Sequence, residues 1–361
     1  MKLQRISLEH IAKLAGVHKA TVSRALRNHS TIPLATRERI QEIAKREGYR
    51  PNPLVAMYQS QARSNRPTAM QSTFAWLNDY PNPSCWREFP WLRGYLCGAK
   101  ERCEARGFRL EEISIGGNAN ASDVEVGRVS GILRQKGIFG AILPLMLHQE
   151  FLLEEWSHCV IALIGSGNQV ASGSSPSAAS RYYPQGVPIA DRDFHFNLRL
   201  AFQTVQQRGY QRVGFIYSRY LDRESEGRSH AAFLVEQDQL PESQRLPVLF
   251  LERFKEGRPA AFDRWLDTYK PDVILSINPV VREWLKETGR SIPGDCGLVN
   301  LNVVDDVENW SGIRENHERI GAAAVDLIIG QLSRNEIGIP RHPRKILIPG
   351  EWHEGGTLRP A

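Results

Sequence analysis

Five cysteines in 361 residues (Cys85, Cys97, Cys103, Cys159 and Cys296) are too few and too scattered to staple a fold. None forms a CxxC pair and no histidine lies at zinc-ligand spacing, so they read as thiols in a reducing compartment. No apolar run approaches the ~18–20 residues that cross a bilayer, which speaks against a membrane partner. A signal peptide is also missing: Met1–Arg5 leads into an amphipathic pattern rather than a continuous apolar stretch, so a cytoplasmic location is expected. The chain lacks a GxSxG elbow, a P-loop, a GxGxxG dinucleotide turn and an HExxH helix, while His148, His158 and His195 stand isolated. No catalytic residue, metal ligand or cofactor is assigned on these grounds. Repeats of solenoid length and leucine heptads are absent as well.

What remains is an ordinary globular composition with an uneven charge. Residues 1–66 carry 13 Lys and Arg against 4 Asp and Glu, whereas the whole chain is only +6, so the rest is slightly acidic. A short basic head on an acidic body is the pattern of a polyanion-binding module joined to something with another task. The length allows two or three domains, each with its own core.

The head reads as three short helices. Ser7 can cap a helix carrying Leu8, Ile11, Ala12 and Ala15 at helical spacing, and Gly16 ends it in a tight turn. A second helix carries Ala20, Val22, Ala25 and Leu26. Pro33 opens a third, with Ile40, Ile43 and Ala44 on its buried side and Gly48 at its end. A helix-turn-helix needs this arrangement: small residues at the crossing, apolar Val17 and Val22 inside, and a second helix free to lie in the major groove. The outward groups His18, Lys19, Ala20, Thr21, Ser23 and Arg24 are short or basic, as contacts to base edges and phosphates require.

From residue 72 the pattern changes to alternating strands and helices. Strand-like runs are Thr73–Leu77, Phe108–Ile113, Ile138–Leu143 and Val160–Ile164, with helices Leu92–Arg106, Asp123–Gln135 and Gln149–Trp156. A second series has helix Phe196–Arg208, strand Val213–Tyr217, helix Ser225–Gln237, strand Val248–Phe250, helix Ala260–Tyr269, strand Val273–Ser276 and helix Val280–Thr288. It closes with strand Gly297–Leu301, helix His317–Arg334 and strand Lys345–Pro349. Such alternation predicts two parallel-sheet subdomains covered by helices, with a cleft between them. The Ser/Gly-rich stretch 169–188 reads as a long loop near their junction.

The stretch Ile6–Tyr58 resembles the DNA-binding head of the lactose-repressor (LacI/GalR) family. The matching residues are Ala15-Gly16-Val17, Thr21-Val22-Ser23-Arg24, Thr36-Arg37-Glu38-Arg39-Ile40 and Gly48-Tyr49-Arg50-Pro51-Asn52. Weaker echoes in the body are Asp193 before a helix ending Gly209-Tyr210, Asn278 after a strand, and Ser311-Gly312-Ile313. The resemblance implies a small all-α helix-turn-helix head plus an α/β periplasmic-binding-protein-like effector domain of two parallel-sheet subdomains. The implied division is a DNA-binding head at 1–50, a hinge helix and linker at 51–71, and an effector-binding, dimerising domain at 72–361. Within the last, subdomain 1 is about 72–189 plus about 316–334, and subdomain 2 is about 190–315 plus about 335–361.

By the same resemblance Lys19 and Ala20 hold the base-reading positions and Arg24 that of an arginine able to reach guanine. Ser7, His18, Thr21, Ser23, Asn28, Thr36, Arg37, Tyr49, Asn52 and Tyr58 complete the expected DNA-contacting set. His18 stands where the family usually has a capping serine, and Pro33 where it has Ser or Thr. Tyr58 occupies the position of the leucine that wedges the minor groove, with Met57 and Leu54 as alternatives.

A two-lobed cleft binds small molecules just past its strand ends. The polar and aromatic residues there are Asn78, Asp79, Tyr80, Trp86, Asp193, Arg228, Asn278 and Asn302. Pro279 replaces the acidic residue that usually follows Asn278 in the family. The implied function is a transcription regulator, most simply a repressor, that binds operator DNA as a homodimer and is switched by a small carbohydrate or related effector. Two alternatives are a transport-type solute-binding protein and a sugar-processing enzyme with an accessory head; the basic head argues against both.

Overall fold

Ser7 begins the head by lending its hydroxyl to the free backbone N–H of His10 at 3.2 Å, which starts helix α1 (Leu8–Ala15). The structure is a computed structural model that describes residues 7–26, 31–47, 49, 72–78, 89–114, 123–144, 156–165, 187–252, 254, 257–304 and 309–360. Gly16 ends α1 at φ 62°, a left-handed conformation that an L-residue adopts only under strain. Helices α2 (Lys19–Ala25) and α3 (Leu34–Arg46) complete the head. Its small core is Ile11, Ala12, Ala15, Val22, Ala25, Ile32, Ile40 and Ala44; Val17 and Tyr49 pack against it half-buried.

The body, a separate compact unit, holds two six-stranded sheets. The first is ordered β11-β5-β4-β3-β1-β2, built from β1 (Ser72–Asn78), β2 (Phe108–Ser114), β3 (Gly140–Pro144), β4 (Val160–Ile164), β5 (Ile189–Arg192) and β11 (Lys345–Ile348). The second is ordered β12-β10-β9-β8-β6-β7, from β6 (Val213–Ser218), β7 (Leu249–Leu251), β8 (Val273–Ser276), β9 (Gly297–Asn300), β10 (Ser311–Arg314) and β12 (Glu351–His353). Every pairing is parallel except β10 with β12. Helices pack on these sheets, so β3, β4, β6, β8 and β9 are buried along their whole length and read as unbroken apolar or small-residue runs.

Two helices of the first lobe, Pro90–Ala105 and His317–Ser333, cross without room for side chains. A Cβ on Gly98 would lie 1.9 Å from the Glu318 carbonyl oxygen, and one on Gly321 would lie 2.0 Å from that of Tyr95. In the second lobe one core lies between the sheet and helices Phe194–Gln207 and Arg228–Asp238, centred on Phe202, Phe215 and Phe233. The other lies under helices Ala260–Tyr269 and Val280–Glu287, centred on Phe262, Trp265 and Trp284.

The structure moves two predicted boundaries. Strand Lys345–Ile348, expected in the second subdomain, pairs with β5 in the first sheet, with Lys345 opposite Ile189. The physical reason is that helix His317–Ser333 packs in the first lobe, so the chain leaving it completes that sheet before crossing. The expected boundary at residues 189–190 likewise falls inside β5, and the crossing follows Arg192. Strands β5, β10 and β12 and helix Arg219–Glu224 had no signal of their own, being three to six residues long and broken by charges. Trp156 is not helical, and the rest of the expected helix Gln149–Trp156 lies outside the described residues, as do most of the 169–188 loop and all of the 51–71 hinge.

Candidate functional site: the helical head and the junction of two lobes

The second helix of the head is held at both ends. His18 is its N-cap: Nδ1 accepts the Ala20 N–H at 3.2 Å. His18 stands where a capping serine is usual, and an imidazole nitrogen that keeps its lone pair does what a serine hydroxyl does. At the other ends, α3 reaches back with its side chains. Arg39 donates to the Ala15 carbonyl that closes α1, and Gln41 to the Ala25 carbonyl that closes α2, both at 3.1 Å. The third helix thus satisfies carbonyls that a helix leaves open at its C-terminus, and clamps the first two. With Val22 and Ala25 turned inward, His18, Lys19, Ala20 and Arg24 are exposed, and Thr21 and Ser23 are half-buried at the edges. Thr36 and Arg37 sit half-buried in the first turn of α3. Asn28, Asn52 and Tyr58 lie outside the described residues.

In the body the chain passes between lobes three times, at Arg192–Phe194, at Arg314–His317 and at Ile348–Glu351. The three crossings are bonded to one another. Asp193 N–H donates to the Ile348 carbonyl at 2.9 Å, Asn316 Nδ2 donates to Pro349 at 2.8 Å, and Arg192 Nη1 meets Glu315 Oε2 at 3.0 Å. Gly350 N–H adds a bond to Asn197 Oδ1 at 2.7 Å. Glu315 also contacts His317 Nε2 at 3.2 Å, and the His317 ring stands edge-on to Tyr95. Burial works against the charge of the Glu315 carboxyl, but Arg192 and then His317 more than offset it and hold its pKa below the usual carboxylate range.

A second group of charges bridges the lobes beside this junction. Arg228, which opens helix Arg228–Asp238 in the second lobe, donates to Asp191 of β5 at 2.9 Å and to the Ser225 carbonyl at 2.9 Å. Glu226 of the second lobe pairs with Lys345 of β11 at 3.1 Å. Phe194 lies between the two guanidiniums, with Arg192 4.7 Å and Arg228 4.9 Å from its ring centre.

The structure therefore gives several expected effector residues other tasks. Asp193 caps helix Phe194–Gln207 by accepting from Phe196 N–H at 2.9 Å. Arg228 is engaged across the lobes. Asn278 Oδ1 accepts from Val280 N–H at 2.9 Å and shapes the turn after β8. Asn78 is buried at the end of β1. Asn302 is different: its Oδ1 is buried past the end of β9 with no hydrogen-bond partner among the described residues, which leaves an acceptor for a ligand. Asp79, Tyr80 and Trp86 lie outside the described residues.

Residues 7–52 match the family model described as bacterial regulatory proteins, lacI family. Along nearly its whole length the chain is similar to the HTH-type transcriptional regulator PtxS of Pseudomonas putida, at 24% identity over 94% of this chain and 92% of that one. The family match lies in the helical head, and the likeness to PtxS extends it over the body. Among solved structures it resembles the transcriptional regulator CelR in complex with cellobiose (TM-score 0.55, 20% identity, 98% of this chain and 100% of the other). It also resembles the Lac repressor dimer bound to operator and the anti-inducer ONPF (TM-score 0.55, 14% identity, 99% and 100%). These likenesses support the fold of a helical head with a periplasmic-binding-protein-like body. The relatives that the chain resembles carry the names of transcription regulators, and the part shared with the family model is the helical head.

Sequence reasoning missed the junction itself. Asp191, Arg192, Glu315 and His317 were passed over because a charged triplet after Val187–Ala190 looks like the start of a surface loop. The one signal was the apolar run Val187–Ala190 feeding directly into three charges, a pattern that places ions at a buried strand end.

Proposed function

We propose that this regulator is a homodimeric repressor that reads operator DNA with the exposed face of α2 and releases it when a small carbohydrate enters the cleft of the body. One observation carries the DNA half of the reading: His18, Lys19, Ala20 and Arg24 are exposed on one short helix whose opposite face is locked into the head core. Lys19 and Arg24 are suited to guanine O6 and N7, and Ala20 to a thymine methyl. Ser7, Thr21, Ser23, Thr36 and Arg37 are then phosphate or edge contacts, while Tyr49 packs against the head core. A head this small covers few base pairs, so two copies on a roughly palindromic site supply the affinity.

The effector half is supported by the three mutually bonded crossings. Lobes joined this way can change their relative angle only by small rotations about the bonded junction, so a ligand that bridges them selects one arrangement. It shifts DNA affinity only in so far as it binds the two arrangements unequally. The cellobiose bound by the related CelR favours a carbohydrate, and Asn302 Oδ1 is an acceptor for one of its hydroxyls. A regulator of transcription acts where the DNA is, which places it in the cytoplasm.

The test begins with purified full-length protein and random duplex DNA. Affinity should be measurable at low salt and fall steeply as salt rises. Selection from a random library should then yield a site with two related half-sites. Negligible, salt-insensitive affinity would overturn the DNA reading, and a site without two-fold character would overturn the dimer.

A further inference from the structure

Ser72 opens β1, so the chain enters the body at the amino end of the first sheet. Segments 106–109, 134–139, 157–159 and 338–344 lead into β2, β3, β4 and β11 from that same end. Gly338 starts the last of them there, since a Cβ on it would lie 3.4 Å from Ser157, just ahead of β4. Together these segments carry six arginines and lysines (Arg106, Arg109, Arg134, Lys136, Arg341 and Arg344) and no aspartate or glutamate. The body as a whole is slightly acidic, so basic residues gather here against the trend of the chain.

Basic residues near helix C-termini are ordinary, because they meet the negative end of the helix dipole. The second lobe shows that ordinary arrangement. Segments 208–212, 239–248, 270–272 and 288–296 lead into its strands and hold Arg208, Arg212, Arg245 and Arg290, each bound within the lobe. Arg208 pairs with Glu354 at 2.6 Å, Arg245 with Asp238 at 3.3 Å and Arg290 with Asp267 at 3.4 Å. Arg212 donates to the Ser243 carbonyl at 3.0 Å. In the first lobe Lys136 pairs with Glu111 at 2.6 Å, and Arg106 approaches Asp326 at 3.8 Å. Arg109, Arg134, Arg341 and Arg344 are exposed and have no ion-pair partner among the described residues. Of these, Arg109 stands in a strand and Arg341 and Arg344 in a loop, where no helix end accounts for them.

Four free guanidiniums with no carboxylate among them suit a polyanion of regularly spaced phosphates. The end of a six-stranded sheet is about 24 Å across, which spans roughly seven base pairs of duplex. Connectivity says which polyanion. Residues 51–71 tether the head to Ser72 and extend at most about 70 Å, so DNA held by the head stays at high effective concentration around the body. We propose that the amino end of the first sheet is a second DNA-binding surface, which contacts phosphates of the duplex flanking the operator without reading its sequence. The inference rests on the reading of the head as the operator-binding module.

The test uses full-length protein and two duplexes. One is the selected operator alone, and the other is the same operator extended on each side by about two helical turns (~34 Å each) of unrelated sequence. The parent should bind the long duplex about a hundredfold more tightly at about 50 mM salt, and four phosphate contacts should lose most of that advantage by about 200 mM. Arg109→Gln, Arg134→Gln, Arg341→Gln and Arg344→Gln combined should bind the long duplex only as well as the short one. Preference for the operator over a scrambled site of equal length should not move, since phosphate contacts carry no sequence. Arg341→Gln with Arg344→Gln, confined to a surface loop, should remove about half of the advantage on a logarithmic scale, and gives the readout should the fourfold variant fold poorly. Equal affinity of the parent for both duplexes, or a length advantage that both variants retain, would overturn the second surface and leave the head as the operator reader. Negligible, salt-insensitive affinity for either duplex would bring down the reading of the head, and this inference with it.

Discussion

His18 caps α2 through the Nδ1 lone pair that accepts the Ala20 N–H, the role a serine hydroxyl fills elsewhere. His18→Ala should cost the head about 1 kcal/mol, whereas His18→Ser should hold its stability, both measured by calorimetric unfolding of the full chain. Equal loss in the two variants would show that the cap is not what His18 provides. Arg24→Ala should weaken specific operator binding by ~1–3 kcal/mol and leave folding intact; unchanged affinity would misplace the reading face. Glu315 has a pKa held below its ordinary value in the fold. A carboxyl lowered in this way stabilises the native state above its unfolded pKa and loses that contribution as pH falls through the folded one. Glu315→Gln leaves Arg192 buried without its counter-charge and should cost about 3 kcal/mol at neutral pH. The variant should also lose less stability than the parent on acidification, and parallel melting curves across the acid range would contradict this account.

At the scale of elements, the first lobe depends on two helices that touch backbone to backbone. Gly98→Ala must push Glu318 away, since the nearest carbonyl oxygen would be 1.9 Å from the new methyl. Burial of that crossing suggests a loss of ~1–3 kcal/mol, read from urea unfolding with the head's DNA affinity as a control. A neutral result would mean that the helices slide apart at little cost. The β strands show why some elements were legible and others not. Val160–Ile164, Ala260–Tyr269 and Val273–Ser276 were read to the residue: the first ends at Gly165, the second lies between Pro259 and Lys270, and the third follows Asp272. Strands Ser311–Arg314 and Glu351–His353 hold their place through pairing with neighbours distant in sequence, which no local pattern reports.

Taken whole, the molecule joins a basic head to a body whose two lobes are tied by charge. Asp191 meets Arg228 across the lobes, and the Asp191 side chain is almost wholly buried. Asp191→Ala leaves the Arg228 guanidinium without that partner and should destabilise the body by about 3–5 kcal/mol. Its larger interest is the switch: loss of a bond that favours one lobe arrangement should change operator affinity with no change in the head. That is measured by fluorescence anisotropy on the selected operator in the presence and absence of the effector. Unaltered affinity in both conditions would show that the clasp is structural only.

The helix-turn-helix was readable residue by residue because its demands are local. A cap, a glycine turn and apolar spacing lie within twenty residues, and exposure of Lys19, Ala20 and Arg24 follows from burial of Val22 and Ala25. The alternating strands and helices of the body were likewise written in hydrophobic runs. The tertiary structure alone decided where the chain changes lobes, that strand Lys345–Ile348 belongs to the first sheet, and that Arg228 and Asp193 are engaged at the junction. It also decided that His18 caps α2. The reason is range: composition and periodicity report what a residue needs, and only the folded chain shows which distant neighbour meets that need.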